Sequence, residues 1–141
     1  MRILPAVLAA AALVAAVPAA AAPAASVGAH QSRYGRILFD GRGFVLYAFT
    51  RDRGGRSACS GACAKAWPPY LVRTKPAAAS GARRSLLGTT RRRDGSLQVT
   101  YAGRPLYYYV GDRAPGQILC QDVSEFGGRW LVVRPDGRLV R

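Results

Sequence analysis

A short apolar string occurs twice in this chain, sixty positions apart. Residues 46–52 (LYAFTRD) return as residues 106–112 (LYYYVGD), and a tryptophan follows each copy, at Trp67 and Trp130. Self-similarity at a fixed period constrains the architecture more than any other signal, because each copy should form the same unit and the units should share a core. The chain is therefore expected to contain two copies of one β-rich unit packed together.

The first 25 residues are expected to be a signal peptide outside the folded part. Arg2 precedes the apolar run 3–17, and the small residues of 19–25 suit a cleavage site. An uncleaved anchor is the alternative, although the run is short for a membrane span. No cysteine lies near the cleavage site, so no lipid-modified N-terminus is expected. The mature protein is predicted to be secreted or held in the cell envelope, without a transmembrane span.

The chain is strongly basic. Its formal net charge is +14, which becomes +13 without Arg2, and 19 of its 21 basic residues are arginine. One interpretation is a cationic surface for anionic envelope polymers or lipid head groups. The other is a GC-rich genome, which explains the arginine bias but not the scarcity of acidic residues. A secreted protein is not expected to bind nucleic acid by design.

Apolar runs alternate with glycine-containing turns. The turn at 40–43 (DGRG) predicts a β-hairpin, and similar turns occur at 94–95, 102–103 and 135–137. In the repeated strand, period-two geometry places Tyr47 and Phe49 on one face and Leu46 and Ala48 on the other. Strands that are apolar on both faces belong in the interior of a fold. We predict an all-β fold of two pseudo-repeated β units, a hairpin-rich sandwich or barrel, with one short helix near 60–67.

The predicted organisation is a flexible lead-in at 26–33 followed by one β domain at 34–141. That domain comprises repeat 1 (34–75) and repeat 2 (83–141), and the Pro/Ala-rich stretch 76–82 is expected to connect them flexibly. Ser60 is the expected N-cap of the helix. Pro68 should end it, because a proline disfavours helical geometry in the residue before it.

These features resemble a known family of secreted-repeat proteins, often lipoproteins, whose function is unknown. That family is marked by a Tyr-x-(Phe/Trp/Tyr)-x-x-Asp motif, and residues 57–69 (SACSGACAKAWPP) look like its cysteine-containing segment. Many relatives carry a lipobox, which this chain lacks, so membrane anchoring is not carried over. The resemblance implies no activity. The motif residues are Tyr47, Phe49 and Asp52 in the first copy and Tyr107, Tyr109 and Asp112 in the second.

Three cysteines leave one unpaired in a secreted chain. A Cys59–Cys63 bond would close a short loop and stabilise the fold by about 2 kcal/mol, whereas Cys59–Cys120 would contribute about 4 kcal/mol. The geometry of the fold decides between these two pairings, and both stay open. We favour Cys59–Cys63, with Cys120 buried and either free or paired between chains. The alternative is extracellular thiol redox chemistry or metal binding. The mature chain has one histidine, His30, so a metal site lacks ligands, and no cofactor is expected.

Two aspartates end the repeated strands. Asp52 and Asp112 could act as acid and base on a glycan, or each could accept backbone N–H bonds in the following turn. Because an acid and a base need unlike environments, their occurrence in a repeat favours the structural role. Without a histidine in the folded part, a Ser–His or Cys–His pair cannot form unless His30 folds back. Whether the chain is an enzyme is left uncertain, and a non-enzymatic role is favoured.

The second copy is rich in tyrosine and lies near several arginines. The tyrosines at 101 and 107–109 could stack with bases or sugars, but core packing is the favoured interpretation. The expected function is a secreted, non-enzymatic envelope module that binds anionic components. The candidate anion contacts are Arg91, Arg92, Arg93 and Arg104.

Overall fold

The structure is a computed structural model, and it describes residues 13–18 and 24–141. Most of the expected signal peptide, including Arg2, lies outside the described residues. Residues 13–18 form neither helix nor strand. Among the described residues, no helix has the length and apolar character needed to cross a membrane.

The described chain is mainly β, as predicted, and consists of short strands with one brief α-helix. The helix α1 (Ala62–Ala66) is shorter than expected, and its N-cap is Gly61, without a side-chain cap, rather than Ser60. A 3-10 turn occupies Arg84–Leu86. The strands are β1 (Ser26–Ser32), β2 (Gly35–Asp40), β3 (Tyr47–Phe49), β4 (Leu71–Val72), β5 (Ala77–Ala78), β6 (Leu87–Arg91), β7 (Leu97–Tyr101), β8 (Arg104–Pro105), β9 (Val123–Glu125) and β10 (Gly128–Val132).

The strands form three small sheets. Their orders are β2-β1-β5, β3-β10-β9 and β4-β7-β6, with β8 added to β7. The pair β1–β5 is parallel, and the other strand pairs are antiparallel. The predicted hairpin around Asp94-Gly95 is present as β6–β7. The β3–β10 pair, in contrast, brings together residues that are far apart in the chain and joins the two repeats.

The predicted flexible lead-in at 26–33 is wrong. Residues Ser26–Ser32 are β1, which pairs with β2 from Val27↔Asp40 to Ser32↔Gly35. Val27 and Ala29 are buried, so this polar-looking segment contributes to the core. The stretch 76–82 is not simply a flexible connection either, because β5 within it pairs with β1.

The hairpin predicted around 40–43 forms only in part. The turn is present: Gly43 N donates to the carbonyl of Asp40 (3.0 Å), and the buried Asp40 carboxylate accepts the amides of Arg42 and Phe44. The segment after the turn makes a single bridge to β2, Phe39↔Val45. It then separates from β2, and its continuation, β3, pairs with β10 instead. The partner at Trp130 offers a large aromatic face to Phe49, which local pairing would not.

The repeated strand is buried on both faces, as the sequence predicts. Tyr47 and Phe49 belong to one core cluster together with Trp67 and Trp130. Leu46 and Ala48 belong to a second cluster. In the second repeat, Tyr107 joins the first cluster and Leu106 the second. The core thus has two parts, with a repeated strand of each copy between them.

Candidate functional site

The two repeats exchange strands. The strand that carries Tyr47 pairs with the tryptophan strand of the second repeat, Trp130↔Phe49 and Val132↔Tyr47. The strand that carries Tyr107 lies in return against residues 66–70 of the first repeat. Equivalent backbone hydrogen bonds therefore occur once in each half of the exchange. The bond from Thr50 N to Arg129 O corresponds to the bond from Val110 N to Ala66 O (both 3.0 Å). The bond from Leu38 N to Val133 O corresponds to the bond from Val99 N to Tyr70 O (both 2.9 Å).

The two exchanged strands meet at Tyr47 and Tyr107. Tyr47 N donates to the carbonyl of Tyr107 (2.8 Å), and Tyr107 N donates to that of Tyr47 (2.9 Å). Equivalent residues of the two repeats thus make the same bond to each other, as at a twofold axis. Leu46 and Leu106, their neighbours, are both fully buried and donate to Leu38 O and Val99 O, respectively. The repeats are consequently related by an approximate twofold.

Each of these tyrosines bonds to the aspartate of the other repeat. The Tyr47 hydroxyl donates to Oδ2 of Asp112 (2.7 Å), and the Tyr107 hydroxyl donates to Oδ2 of Asp52 (2.8 Å). The second carboxylate oxygen of each aspartate accepts a backbone amide, from Ala58 (2.7 Å) or the equivalent Leu119 (2.9 Å). Both aspartates accept backbone amides, as the structural interpretation expects, although the donors lie six and seven residues along the chain.

Burial is the main influence on both carboxyl groups. It raises the pKa of Asp112, and the bonds from Tyr47 and Leu119 lower it only in part. Burial likewise raises the pKa of Asp52 against the bonds from Ala58 and Tyr107. The partner tyrosines also have raised pKa values, mainly through burial. Both carboxyl groups shift in the same direction for the same main cause, which does not divide them into an acid and a base, although the charge of Arg92 lowers the pKa of Asp52 alone.

These pKa shifts predict a pH-dependent stability. Because the pKa of Asp112 is raised in the folded state, its ionisation destabilises the native state at neutral pH. This penalty is relieved as the pH falls through the raised pKa, and it is gone below the ordinary value of 3.8, where the carboxyl group is protonated in both states. The stability of the wild type relative to Asp112→Asn should therefore increase between pH 7 and acidic pH, measured by urea unfolding. Asp94→Asn is the control with the opposite sign, because hydrogen bonds from Ser96 lower the pKa of the exposed Asp94. If the difference in unfolding free energy between the wild type and Asp112→Asn did not change with pH, a raised pKa of Asp112 would be contradicted.

An aromatic stack runs through the same axis. The rings of Trp67 and Trp130 are parallel, with centroids 4.1 Å apart and planes at 5°. Phe49 stacks on the outer face of Trp130 (4.1 Å), and its repeat equivalent Tyr109 packs against Trp67 (4.8 Å, tilted). Edge contacts from Tyr47 to Trp67 and from Tyr107 to Trp130 complete the arrangement. The repeated aromatic residues are thus the shared core of the two copies.

The cysteines mark a difference between the repeats. Cys59 and Cys63 form a disulfide, with their Cα atoms 5.3 Å apart, and both residues are buried. The favoured pairing is therefore the one observed. Cys120, which follows Leu119 as Cys59 follows Ala58, is free and half-buried rather than fully buried. Burial raises the pKa of its thiol, an environment that disfavours the reactive thiolate.

A cationic cleft of about 510 Å³ lies beside the disulfide loop. Arg51, Arg92 and Arg93 line it, with Asp94 as the one acidic residue among its lining side chains. Arg92 is fixed in place, because its guanidinium donates to Ser57 Oγ (2.9 Å), Gln98 Oε1 (2.8 Å) and Cys59 O (2.7 Å). Arg51 and Arg93 are exposed. The remaining lining residues are Ser57, Ala58, Cys59, Ser60, Gly61 and Ala64.

Two of the four predicted anion contacts lie at this cleft, and two lie elsewhere. Arg92 and Arg93 line it, whereas Arg91 lines a separate groove and donates to Gly95 O (2.8 Å). Arg104 is exposed on β8. Arg51 was not predicted as an anion contact, because its only signal in the sequence is its position in the repeated string, between Thr50 and Asp52.

A strained hairpin tip lies next to the cleft. Glu125 and Gly128 pair, so Phe126 and Gly127 form a two-residue loop, and both have positive φ (55° and 79°). Such loops prefer Asn-Gly, and a left-handed backbone costs a bulky residue about 1–2 kcal/mol. Arg51 Nη1 donates to the carbonyl of Phe126 (3.0 Å). The Phe126 side chain is 42% exposed.

The base of the hairpin is anchored to the aromatic core. Trp67 Nε1 donates to Oε2 of Glu125 (2.8 Å), and Trp130 Nε1 donates to its carbonyl (3.2 Å). A Cβ on Gly128 would lie 2.5 Å from Cε2 of Phe49, so this position requires glycine. The tip is therefore held on a rigid base. In the first repeat the segment before Trp67 forms α1, which contains Cys63 of the disulfide, instead of a hairpin. The cleft and the tip therefore occur where the repeats differ.

No group of three or more His, Cys, Asp or Glu side chains suited to a metal ion occurs in the described ranges. His30, expected in a mobile segment, lies on β1 with its ring 5.6 Å from that of Phe39. Of the four tyrosines that could have formed a stacking platform, Tyr101 and Tyr107 are fully buried, and Tyr108 and Tyr109 are half-buried.

Comparison with known families gives one match. The sequence model of a family described as a secreted repeat of unknown function matches residues 28–70 and 88–134. The two matched segments contain the two copies of the repeated string, and together they cover more than half of the chain. No curated protein and no solved structure matches significantly.

Proposed function

We propose that this chain, which belongs to that family of secreted repeats of unknown function, is a non-enzymatic module of the cell envelope that binds anionic envelope components. The observation that carries the proposal is the cleft lined by Arg51, Arg92 and Arg93. Guanidinium groups are well suited to phosphate and carboxylate groups, because they offer several donors in a fixed geometry.

The rest of the chain supports the same function. A net charge of +14 produces a field that attracts polyanions and raises their local concentration. Arg92 is held in position by three hydrogen bonds, so its contribution to the cleft is preorganised. Arg51 and Arg93 are exposed and line the same cleft, so both are accessible to a ligand there. The repeated, symmetric residues supply the fold, and the cleft is where the repeats differ.

Binding should depend on the arginines of the cleft and on salt. The double variant Arg51→Gln/Arg93→Gln should bind soluble polyphosphate about tenfold or more weakly than the wild type, because each lost charge-assisted bond is worth about 1.5–3 kcal/mol. Arg92 is left unchanged because it also holds Ser57 and Cys59. Titration calorimetry at rising salt measures the effect, and screening should weaken wild-type binding.

The matched control is Arg84→Gln/Arg113→Gln, which removes the same charge from exposed positions outside the cleft. It should retain most of the affinity. Equal losses in both double variants would mean that only net charge matters and would reject the cleft as the site. If the wild type at low salt bound none of polyphosphate, teichoic acid and anionic vesicles, the proposal itself would be rejected.

A further inference from the structure

We infer that the cleft and the neighbouring hairpin tip together form a docking surface for an anionic lipid bilayer, with Phe126 inserted among the lipids. This inference rests on the proposed function, because it names the partner of the same cationic site. It starts from Phe126, a bulky apolar residue kept in a left-handed turn conformation (φ 55°) with 42% of its surface exposed. Strain of this kind marks candidate functional positions.

Arg51 connects the tip to the cleft. Its side chain lines the cleft and its Nη1 donates to the carbonyl of Phe126 (3.0 Å). A lipid phosphate in the cleft and an acyl chain against Phe126 would therefore lie side by side. An aromatic ring beside arginines is the combination that binds membrane interfaces, where apolar burial and attraction to anionic head groups act together.

The exposed arginines beside the tip favour an anionic surface. Of the two acidic residues near the tip, Asp122 is paired with Arg129, whereas Glu125 accepts the indole N–H of Trp67 and keeps its negative charge. Arg51 and Arg93 make no ion pair within the described part of the chain. Because the base of the hairpin is bonded to both core tryptophans, Phe126 can enter the interface without loss of order elsewhere.

The test compares binding to vesicles with binding to a soluble polyanion. Wild-type protein should sediment with phosphatidylglycerol/phosphatidylcholine vesicles and not with phosphatidylcholine alone. Phe126→Asn should weaken vesicle binding by at least about tenfold, since a buried Phe contributes about one to two powers of ten. Its affinity for polyphosphate should stay unchanged, because that ligand has no apolar phase. Asn tolerates positive φ, so the thermal midpoint should be equal or higher.

Leu71→Asn is the control, because Leu71 is also exposed (48%) but lies on β4 in another sheet. It should bind vesicles like the wild type. In Phe126→Trp, vesicles should shift the fluorescence of the new indole to shorter wavelength, whereas Trp67 and Trp130 are fully buried throughout.

The outcomes separate the two proposals. Vesicle binding by Phe126→Asn at wild-type strength, or an equal loss on polyphosphate, would overturn the role of Phe126 in lipid insertion. If the wild type binds polyphosphate or teichoic acid but not anionic vesicles, the lipid inference fails and the proposed function stands. If it binds neither, both fail.

Discussion

Trp130→Ala is expected to lower the free energy of unfolding by about 3–5 kcal/mol, and Trp67→Ala by a similar amount. Both indoles are fully buried, stack on each other at 4.1 Å, and each contacts an aromatic ring of both repeats. Domains of this size are stable by only about 5–15 kcal/mol. Urea unfolding followed by far-ultraviolet circular dichroism measures the loss without relying on tryptophan fluorescence.

The two variants also test the symmetry. Because the rings touch, the double variant should lose less stability than the sum of the two single losses. Leu119→Ala, at a position 60% exposed, is the control and should change stability by no more than about 0.5 kcal/mol. A loss below about 1 kcal/mol in one tryptophan variant with a large loss in the other would show that a single repeat carries the core.

Tyr47→Phe and Tyr107→Phe are expected to destabilise the protein by about 1.5–3 kcal/mol each. Each substitution removes a hydroxyl that donates to an aspartate, and a hydrogen bond to a charged group contributes about this much. Both variants keep the ring, so the aromatic contacts remain. Tyr34→Phe is the control, because Tyr34 does not belong to the exchanged strands. If Tyr47→Phe were as stable as this control, the hydrogen bond between Tyr47 and Asp112 would be contradicted.

The alternation along the repeated strand could be predicted from sequence, but its partner could not. Tyr47 and Leu46 enter different core clusters because adjacent side chains of a strand point to opposite faces. Local turn signals favoured pairing with the preceding strand. The observed pairing with β10 depends on contacts between residues about eighty positions apart, Phe49 and Trp130, which no short-range pattern encodes.

The candidate site was only partly predictable for a similar reason. The arginine run 91–93 signals positive charge, but the sequence does not indicate that Arg92 would be bonded to the disulfide loop while Arg93 stays exposed. β1 was not predicted because its small and polar residues have weak strand signals. It forms a strand through its pairing with β2 and β5. Phe126 was missed because Phe-Gly is an unusual loop for a hairpin.

The most direct test of the exchanged architecture is a pair of double-mutant cycles on the full chain. The exchanged architecture predicts a coupling energy of about 1 kcal/mol or more between Tyr47→Phe and Asp112→Asn, because Tyr47 and Asp112 lie in different repeats and share a hydrogen bond of 2.7 Å. Between Tyr47→Phe and Asp52→Asn, in the same repeat, coupling should be within about 0.5 kcal/mol of zero. A large coupling energy between Tyr47→Phe and Asp52→Asn, with none between Tyr47→Phe and Asp112→Asn, would contradict the exchanged architecture.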